Sequence, residues 1–250
     1  MTELDMLMDL HRRQARQGPG SDYHSLLALQ LSGLTPSADL RVADIGCGTG
    51  ASTLALAGAL PASITAVDFL PGFIDELRLR ADAAGLDQRI RPGIADMNAL
   101  PFADGKFDLL WSEGAIYSMG FSRGLARWRR FLRPGGLLAV SEITWLTAQR
   151  PAEIEAFWTA NYPEIDTAAG KFRVLEQQGY SALGYFTLPP SCWLENYYHP
   201  LAADFEHFLD RHDHSAAAHD LVAEHRQEQA LYEKYSEHYS YGFYIARRSD

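Results

Sequence analysis

The amino-acid sequence predicts an α/β fold with a doubly wound, mostly parallel sheet of about seven strands, the last of them antiparallel. Short apolar runs alternate with segments of helical periodicity between Leu40 and Glu142, and this alternation is typical of a parallel sheet with helices on both faces. A glycine-rich turn at residues 46–50 joins the first apolar run to the next helical segment. The length of 250 residues suits a single domain, residues 1–250, with a substantial core.

Composition and charge argue against several classes of protein. The formal net charge is −10, from 22 Lys and Arg against 32 Asp and Glu, whereas non-specific nucleic-acid binding needs clustered cations. The first residues lack the basic start and apolar core of an export signal, and no apolar run is long enough to span a bilayer. Cys47 and Cys192 are the only cysteines and predict no disulfide framework. We therefore expect a cytoplasmic protein; a homodimer stays open.

Two helices are predicted before the sheet. The spacing of apolar residues indicates an amphipathic helix over Met1–Gln17. A break rich in glycine then separates it from a second helix, Tyr23–Leu31, with Ser21 or Asp22 as the N-cap. Residues 1–36 are expected to form a helical lid over the domain.

The glycine-rich turn predicts a ligand site. Gly46, Gly48 and Gly50 alternate around Cys47 and follow a strand that ends near Asp44. Without Cβ atoms, such a turn can present its N–H groups to a ligand beside the positive end of the next helix. The spacing also satisfies the fingerprint of dinucleotide enzymes, but the Asp44 carboxylate would repel a pyrophosphate and favours a cationic ligand group.

Acidic and aromatic residues follow the next three predicted strands. Asp68 ends the second strand, roughly twenty residues past the glycines, where a carboxylate can accept both ribose hydroxyls of a nucleoside; the alternative is a helix N-cap. Phe69 could pack against the adenine. Residues 96–97 follow the third strand, and Glu113 and Tyr117 follow the fourth. Open parallel sheets bind ligands at the carboxyl ends of their strands, so these residues are predicted to line the site.

Several motifs together resemble one family. D-I-G-C-G-T-G from Asp44, the L-P-F to F-D series at residues 100–108 and L-R-P-G-G at residues 132–136 resemble class I S-adenosylmethionine (SAM) dependent methyltransferases, especially the bacterial small-molecule group that includes the ubiquinone and menaquinone methyltransferases. The resemblance implies a Rossmann-like fold that binds SAM and releases S-adenosylhomocysteine. It also implies that Asp96 bonds the adenine amino group and that Met97 covers the ring.

The resemblance implies methyl transfer to a small, aromatic or hydrophobic acceptor by in-line displacement. Two alternatives stay open, a SAM-binding protein without transfer activity and a nicotinamide-dependent oxidoreductase. Because SAM is already activated, the protein mainly has to orient the acceptor and exclude water. Glu142, at the end of strand five, is the first candidate for a general base, and a structural carboxylate is the alternative. His24 is a weaker candidate.

An aromatic-rich excursion after strand five, residues 143–200, is a predicted substrate cap. Candidate acceptor-binding residues there and elsewhere share an aromatic ring and proximity to the expected crevice: Tyr23, Tyr117, Trp145, Trp193, Tyr197 and His199. Five histidines between residues 207 and 225 match no metal-ligand spacing. We expect those histidines on a solvated helix surface and predict no metal site.

Overall fold

The computed structural model describes residues Thr2–Asp250 and contains an eight-stranded sheet. The strand order is β3-β2-β1-β4-β5-β8-β7, with the short β6 paired to the end of β5. Among the strands described between Thr2 and Asp250, β8 alone runs opposite in direction to the other seven, which confirms the predicted fold class. The strands are β1 Arg41–Ile45, β2 Ser63–Asp68, β3 Ile90–Ile94, β4 Phe107–Ser112, β5 Leu132–Trp145, β6 Asp166–Thr167, β7 Tyr180–Thr187 and β8 Tyr239–Arg248.

Both faces of the sheet are covered. Val42 enters one hydrophobic core and its neighbour Ala43 enters the other, because successive side chains of a strand point to opposite faces. This explains why β1 has the continuous apolar sequence of a buried strand. The helices are α1 Glu3–Arg12, α2 Asp22–Leu31, α3 Ala51–Ala59, α4 Pro71–Ala83, α5 Phe121–Trp128, α6 Ala152–Asn161, α7 Ala168–Gln177, α8 Pro190–Trp193, α9 His199–Ala203, α10 Phe205–Arg211 and α11 Ala216–Tyr235.

The first helix is shorter than the periodicity predicts. Thr2 caps α1 in a capping box with Asp5, and the helix ends at Arg12. The chain then crosses the domain as a loop to α2, whose N-cap is Ser21. Arg80 of α4 holds this loop by donating to the carbonyl oxygens of Gln14 (3.0 Å) and Ala15 (3.2 Å). Tertiary hydrogen bonds therefore replace the last predicted helical turn.

The segment after strand five, predicted as a substrate cap, partly belongs to the sheet itself. Residues 143–200 include the end of β5 together with β6, α7 and β7, so much of the predicted cap belongs to the sheet layer. The unpredicted helix α6 lies between Pro151 and Pro163, which bound it without interrupting it. A π-helical turn, Leu194–Tyr198, joins α8 to α9. No helix described between Thr2 and Asp250 is long and apolar enough to cross a membrane.

Two of the C-terminal histidines are buried, which corrects the predicted solvated surface. His225 of α11 faces His11 of α1 with 3.0 Å between their Nε2 atoms, and both side chains are buried. His212 Nε2 lies 3.1 Å from the Asp9 carboxylate of α1. The amphipathic α1 supplies the partners, which the sequence of α11 alone does not show. Burial, and then the nearby His225, lower the pKa of His11 to about 3.

We expect the free energy of unfolding to decrease as the pH falls from about 7 to about 5. The pKa of His11 changes from 6.5 in its ordinary state to about 3 in the fold, so the unfolded chain binds more protons over this interval. The contribution of neutral His11 to the free energy of unfolding is fully present above the ordinary pKa and is lost as the pH falls below it. For one group, this loss is at most about 1.4 kcal/mol per pH unit. Urea titrations across this interval measure the slope.

The control compares two histidine substitutions. His11→Gln removes the buried titrating group and should flatten the dependence of unfolding free energy on pH. His199→Gln changes an exposed histidine and should leave the slope unchanged. Equal slopes in the wild type and in His11→Gln would contradict the assignment.

Candidate cofactor site

A cavity of about 480 Å³ lies at the carboxyl edge of the parallel strands. This volume is within the range of small-molecule sites. Its wall combines the glycine turn, the ends of β2, β3 and β4 and the loop after α1. The lining residues are Arg16, Gln17, Gly18, Pro19, Ile45, Gly46, Cys47, Gly48, Ala51, Ser52, Asp68, Phe69, Leu70, Phe73, Ala95, Asp96, Met97, Asn98, Glu113, Gly114, Ala115, Tyr117 and Ser118.

The glycine turn can lie against the wall of the cavity only because its glycines lack side chains. Gly46 has φ +73°, and a Cβ there would lie 2.4 Å from the Cβ of Ala115. The N–H groups of Gly46 and Cys47 both donate to the Val67 carbonyl oxygen, at 2.8 and 3.1 Å. These bonds fix the turn against the end of β2.

Asp68 braces the glycine turn from the end of β2. Its Oδ2 accepts from the Gly48 N–H and its Oδ1 from the Leu70 N–H, each at 3.0 Å. Burial raises the pKa of Asp68, and the N–H donors favour its charged form. Since each carboxylate oxygen has further lone pairs, Asp68 can still accept from a ligand in the cavity.

The end of the cavity near β3 combines a carboxylate with apolar side chains. Asp96 Oδ1 accepts from the backbone and side-chain nitrogens of Asn98 at 2.8 and 2.9 Å, and the backbone bond holds its pKa below the ordinary value. Met97 approaches Gly46 from this side, and Phe69 is 53% exposed although it lines the wall. These residues offer both a polar group and apolar surface to a flat ring.

The opposite end of the cavity is closed by the loop after α1. Arg16 Nη1 donates to Glu113 Oε2 at 3.1 Å, and Arg16 Nη2 donates to Asp22 at 2.9 Å. Ser25 Oγ and Trp111 Nε1 donate to the other Glu113 oxygen, at 2.6 and 2.9 Å. The pair formed by Arg16 and Glu113 therefore presents both a cation and an anion at this end.

Gln17 brings the same loop onto the glycine turn. Its Oε1 accepts from the Thr49 N–H at 2.8 Å and from the Thr49 hydroxyl at 3.0 Å. A Cβ at Gly48 would lie 2.5 Å from this oxygen. The lid is thus in direct contact with the turn that it covers.

Asp44 supports the turn from behind and does not line the cavity. It is fully buried, and its Oδ2 accepts from the hydroxyls of Ser52 (2.8 Å) and Thr53 (2.6 Å). Oδ1 has no hydrogen-bond partner among residues Thr2–Asp250. Burial raises the pKa of Asp44 to about 7. The carboxylate joins the end of β1 to the first turn of α3.

Comparison with known proteins identifies the domain that contains this cavity. Residues 42–136 match the family model described as "Methyltransferase domain". Residues 42–136 of this chain are therefore similar to a methyltransferase domain. The matched range extends from β1 to the turn inside β5 and so includes the glycine turn and the ends of β2, β3 and β4.

Individual relatives agree with this assignment. The chain is 31% identical to the methyltransferase GfsG of Streptomyces halstedii over 151 residues, which are 55% of this chain and 54% of that protein. It is 39% identical to the demethylmenaquinone methyltransferase of Mycolicibacterium gilvum over 118 residues, 47% of this chain and 46% of that protein. The chain thus spans about half the length of these curated relatives.

The fold similarity extends over nearly the whole chain. A SAM-dependent methyltransferase from Thiobacillus denitrificans, solved in complex with S-adenosylhomocysteine, superposes with a TM-score of 0.80 at 18% identity. The match covers 98% of each chain. The lid helices and the strands after β5 are therefore part of the fold that the two chains share.

The structure brings most of the predicted cofactor residues to one cavity. Those in its wall are Gly46, Cys47, Gly48, Asp68, Phe69, Asp96, Met97 and Glu113, together with the predicted acceptor residue Tyr117. Asp44 and Gly50 are placed behind it. Gly50 has φ +92°, and a Cβ there would lie 2.2 Å from Leu77 Cδ1, so this glycine permits α3 to pack against α4.

Five predicted acceptor residues lie outside the cavity wall. Trp145 and Trp193 are core residues, 5% and 2% exposed, because the aromatic segment packs against β8 and α11. Tyr197 is buried and stacks on His11. Tyr23 is 69% exposed, and the exposed His199 begins α9. The aromatic content after strand five predicts the lining of a pocket. In the structure, most of these side chains belong to the hydrophobic core.

The two predicted catalytic residues also lie outside the wall. His24 Nδ1 lies 2.6 Å from the Ser21 hydroxyl and 3.3 Å from Cys192 Sγ, at the start of α2. Glu142 is fully buried, and Lys171 Nζ donates to its Oε1 at 3.0 Å. This ion pair agrees with a structural role for Glu142, the alternative to a general base. Lys171 bonds to only one of the two Glu142 carboxylate oxygens.

Arg16 and Gln17 were not among the predicted site residues. The sequence places them inside an apparent amphipathic helix, where an arginine and a glutamine indicate only a solvated face. The signal that could have found them is the helix break at Gly18–Gly20, which brings the preceding polar residues back over the domain.

We expect Gly46→Ala to destabilise the fold more than Gly85→Ala. Both glycines have positive φ, +73° and +66°, so each substitution carries a backbone cost of about 1 kcal/mol. Only at Gly46 would the new Cβ clash, at 2.4 Å from Ala115, whereas nothing lies within 4 Å at Gly85. Chemical denaturation should give an unfolding free energy lower by at least about 1 kcal/mol for Gly46→Ala than for Gly85→Ala. Similar values for the two variants would show that the turn is not packed against Ala115.

Proposed function

We propose that this protein transfers a methyl group from SAM to a small acceptor, releasing S-adenosylhomocysteine. The observation that carries the proposal is the charge and shape of the cavity in a chain that contains a methyltransferase domain. Its wall contains three carboxylates, from Asp68, Asp96 and Glu113, and the single guanidinium of Arg16 as the one Lys or Arg side chain among the lining residues. An anionic wall of this kind suits a ligand with an ammonium and a sulfonium.

The order of the strands gives the cavity a direction. Asp68 and Phe69 lie at the end of β2, and Asp96 and Met97 follow β3, so this end suits the ribose and adenine of SAM. Glu113 follows β4, and Arg16 faces it from the lid. Since the methionine part of SAM carries an ammonium and a carboxylate, we assign Glu113 to the ammonium and Arg16 to the carboxylate.

The nicotinamide alternative fits the same residues poorly. A dinucleotide would place a pyrophosphate beside the glycine turn, where Asp68 accepts from Gly48 and Asp44 lies directly behind. Like charges at this distance disfavour binding. Both cofactor classes share the glycine fingerprint, so it does not distinguish SAM from a dinucleotide. The nearby carboxylates favour SAM.

SAM supplies an activated methyl group when it is bound. The protein's own residues then have three tasks: Asp68 and Asp96 hold the nucleoside end, Arg16 and Glu113 hold the amino-acid end, and the loop at residues 14–20 covers the cavity from water. Fixing the donor in this way can contribute on the order of 7–11 kcal/mol of barrier lowering, provided that the acceptor is held in line. Glu142 and His24 stay candidates for proton transfer, with no contact to this cavity.

Location and assembly stay predictions. Both cysteines are free and buried, which is compatible with the expected cytoplasmic location. The predicted lack of nucleic-acid binding depends on the net charge of −10. A homodimer also stays a hypothesis, for which sedimentation of the purified protein is the direct measurement.

Calorimetric titration should show micromolar binding of SAM and S-adenosylhomocysteine and no binding of NADH. Asp68→Ala removes the predicted ribose acceptor and the brace on Gly48, so we expect both affinities to fall by at least about tenfold, equivalent to about 1.4 kcal/mol. Asp39→Ala, which changes an exposed aspartate before the amino end of β1, at the edge of the sheet opposite to the cavity, is the matched control. A folded protein that binds neither SAM nor its product would overturn the proposed function.

Arg16→Met should weaken the binding of S-adenosylhomocysteine while leaving that of methylthioadenosine nearly unchanged. Methylthioadenosine has the same nucleoside and sulfur but no amino-acid end, so it cannot use the guanidinium. Loss of a charge-assisted hydrogen bond corresponds to about 1.5–3 kcal/mol, measured as the difference between the two ligands by calorimetry.

Arg13→Met is the control for this substitution, because Arg13 is also on the lid but its side chain is 50% exposed. Equal weakening of both ligands by Arg16→Met would mean that Arg16 only closes the lid. The assignment to the carboxylate would then be wrong.

A further inference from the structure

A cluster of tyrosines begins where the cofactor cavity ends. Tyr117 lines the cavity, and its ring meets that of Tyr162 edge-on with 6.0 Å between centroids. The ring of Tyr241 lies against Gly114, another residue of the wall, whose Cβ would approach that ring to 3.3 Å. The cluster therefore packs against the wall of the cavity at the end of β4.

A buried ion pair lies in contact with this cluster. Glu142 and Lys171 are 0% and 1% exposed. Lys171 Nζ donates to Glu142 Oε1 at 3.0 Å and to the Glu164 carbonyl oxygen at 2.8 Å. The same ammonium lies 5.1 Å from the centroid of the Tyr162 ring. The ion pair thus forms the floor beneath Tyr162.

Two polar atoms in this region have no hydrogen-bond partner within the described part of the chain. They are Glu142 Oε2 and the hydroxyl oxygen of Tyr162, and both side chains are more than nine-tenths buried. A buried polar atom without a partner carries a penalty of about 1–3 kcal/mol. Two such atoms next to each other, beside the expected methyl donor, indicate a place for a ligand.

We propose that Glu142 Oε2 and the Tyr162 hydroxyl bind the methyl acceptor, and that the acceptor presents a neutral hydroxyl group on an aromatic or other apolar body. This inference rests on the proposed methyl transfer and names its substrate class. A hydroxyl satisfies both unpartnered atoms at once, because it donates to the carboxylate oxygen and accepts from the tyrosine.

Charge disfavours acceptor groups that are ionised when they bind. A carboxylate or phosphate would be repelled by Glu142, whose only ammonium partner is already bound through Oε1. A protonated amine at Oε2 would lie next to the Lys171 ammonium, across the width of one carboxylate, and would be repelled in turn. A neutral donor remains, and the rings of Tyr117, Tyr162 and Tyr241 provide the apolar surface for its body.

The protonation of the two groups agrees with these roles. Burial, and then the nearby Glu142, raise the pKa of Tyr162, so its hydroxyl keeps its proton and can donate. Burial also raises the pKa of Glu142, and the Lys171 ammonium opposes that shift. The ion pair thereby favours the carboxylate form that accepts from a hydroxyl.

The simplest alternative is that the Tyr162 hydroxyl donates to Glu142 directly, an interaction that already contributes to the pKa shifts of both groups. Tyr162 would then stabilise the fold and would not bind an acceptor. The experiment has to separate these two roles, so it measures ligand binding and thermal stability in the same variants.

The probes are 4-ethylphenol and 4-ethylanisole, which differ only in the hydroxyl hydrogen replaced by methyl. Each is titrated into the wild-type protein saturated with S-adenosylhomocysteine, and binding is followed by saturation-transfer NMR. We expect the phenol to bind at least about tenfold more tightly than the ether, equivalent to about 1.4 kcal/mol. Tyr162→Phe should reduce this preference to about twofold or less with little change in melting temperature.

Tyr185→Phe is the matched control, because Tyr185 packs against Phe172 and Tyr244 in the other core. It should keep the preference for the phenol. Glu142→Gln is the second test: with its oxygen facing Lys171, its amide nitrogen replaces the free acceptor, and the preference should again be lost. That variant is read only together with its melting temperature, since it weakens a buried ion pair.

Two results would overturn the inference. One is equal binding of the phenol and the ether to the wild-type protein. The other is a lower melting temperature of Tyr162→Phe with an unchanged preference, which would show that Tyr162 bonds to Glu142. Failure of the proposed function itself is distinguishable: without a SAM site, calorimetry without either probe would show no binding of S-adenosylhomocysteine, and without transfer activity the protein would bind it but transfer no methyl group from SAM to 4-ethylphenol.

Discussion

The Glu113 carboxylate connects the sheet to both parts of the lid, and the closed cavity depends on it. One oxygen accepts from Trp111 on β4 and from Ser25 on α2, and the other accepts from Arg16 on the loop after α1. Because Trp111 and Ser25 are completely buried, the carboxylate is fixed by groups that cannot turn towards solvent. Arg16 is the one cationic partner among these three and is also the one that faces the cavity.

This arrangement links the lid to the ligand. The loop at residues 14–20 has backbone hydrogen bonds only at its two ends, from Gln14 to His11 and from Gly20 to Cys192. Between them it is held by side chains, namely Arg80 on two of its carbonyl oxygens and Gln17 on Thr49. A ligand that bonds to Arg16 and Glu113 adds to the few contacts that hold the loop. Part of its binding free energy therefore stabilises the closed lid. An anchored loop of this kind can open without unfolding the sheet, because the strands contribute none of those contacts except through Glu113.

The sequence predicted the sheet well, and it placed Asp68 and Asp96 at the edge where the structure has the cavity. Both residues follow short strands, and in a parallel sheet every strand brings its carboxyl end to the same edge. The sequence did not predict the contacts that the lid makes with this edge. Arg16 reaches the cavity through a loop, and Trp193 is buried through its stacking on Tyr232 at 4.4 Å, contacts between residues far apart in the chain. Aromatic composition cannot distinguish a pocket wall from a core, because both bury the same kind of surface.

Glu142 shows how the structure adds to what the sequence suggests. A carboxylate with a purely structural role is expected to have both oxygens bonded, and Asp108 of this chain meets that expectation through Arg133 at 2.6 Å and the Arg41 N–H at 2.8 Å. Within residues Thr2–Asp250, only Asp44 and Glu142 bury a carboxylate oxygen without a partner. One lies behind the glycine turn and the other beyond Tyr117, so the two unpaired oxygens flank the predicted path from donor to acceptor. The cost of desolvating both oxygens is concentrated at the carboxyl edge of the sheet, and under the proposed acceptor binding a ligand offsets that cost at Glu142, whereas Asp44 lies behind the turn and out of a ligand's reach.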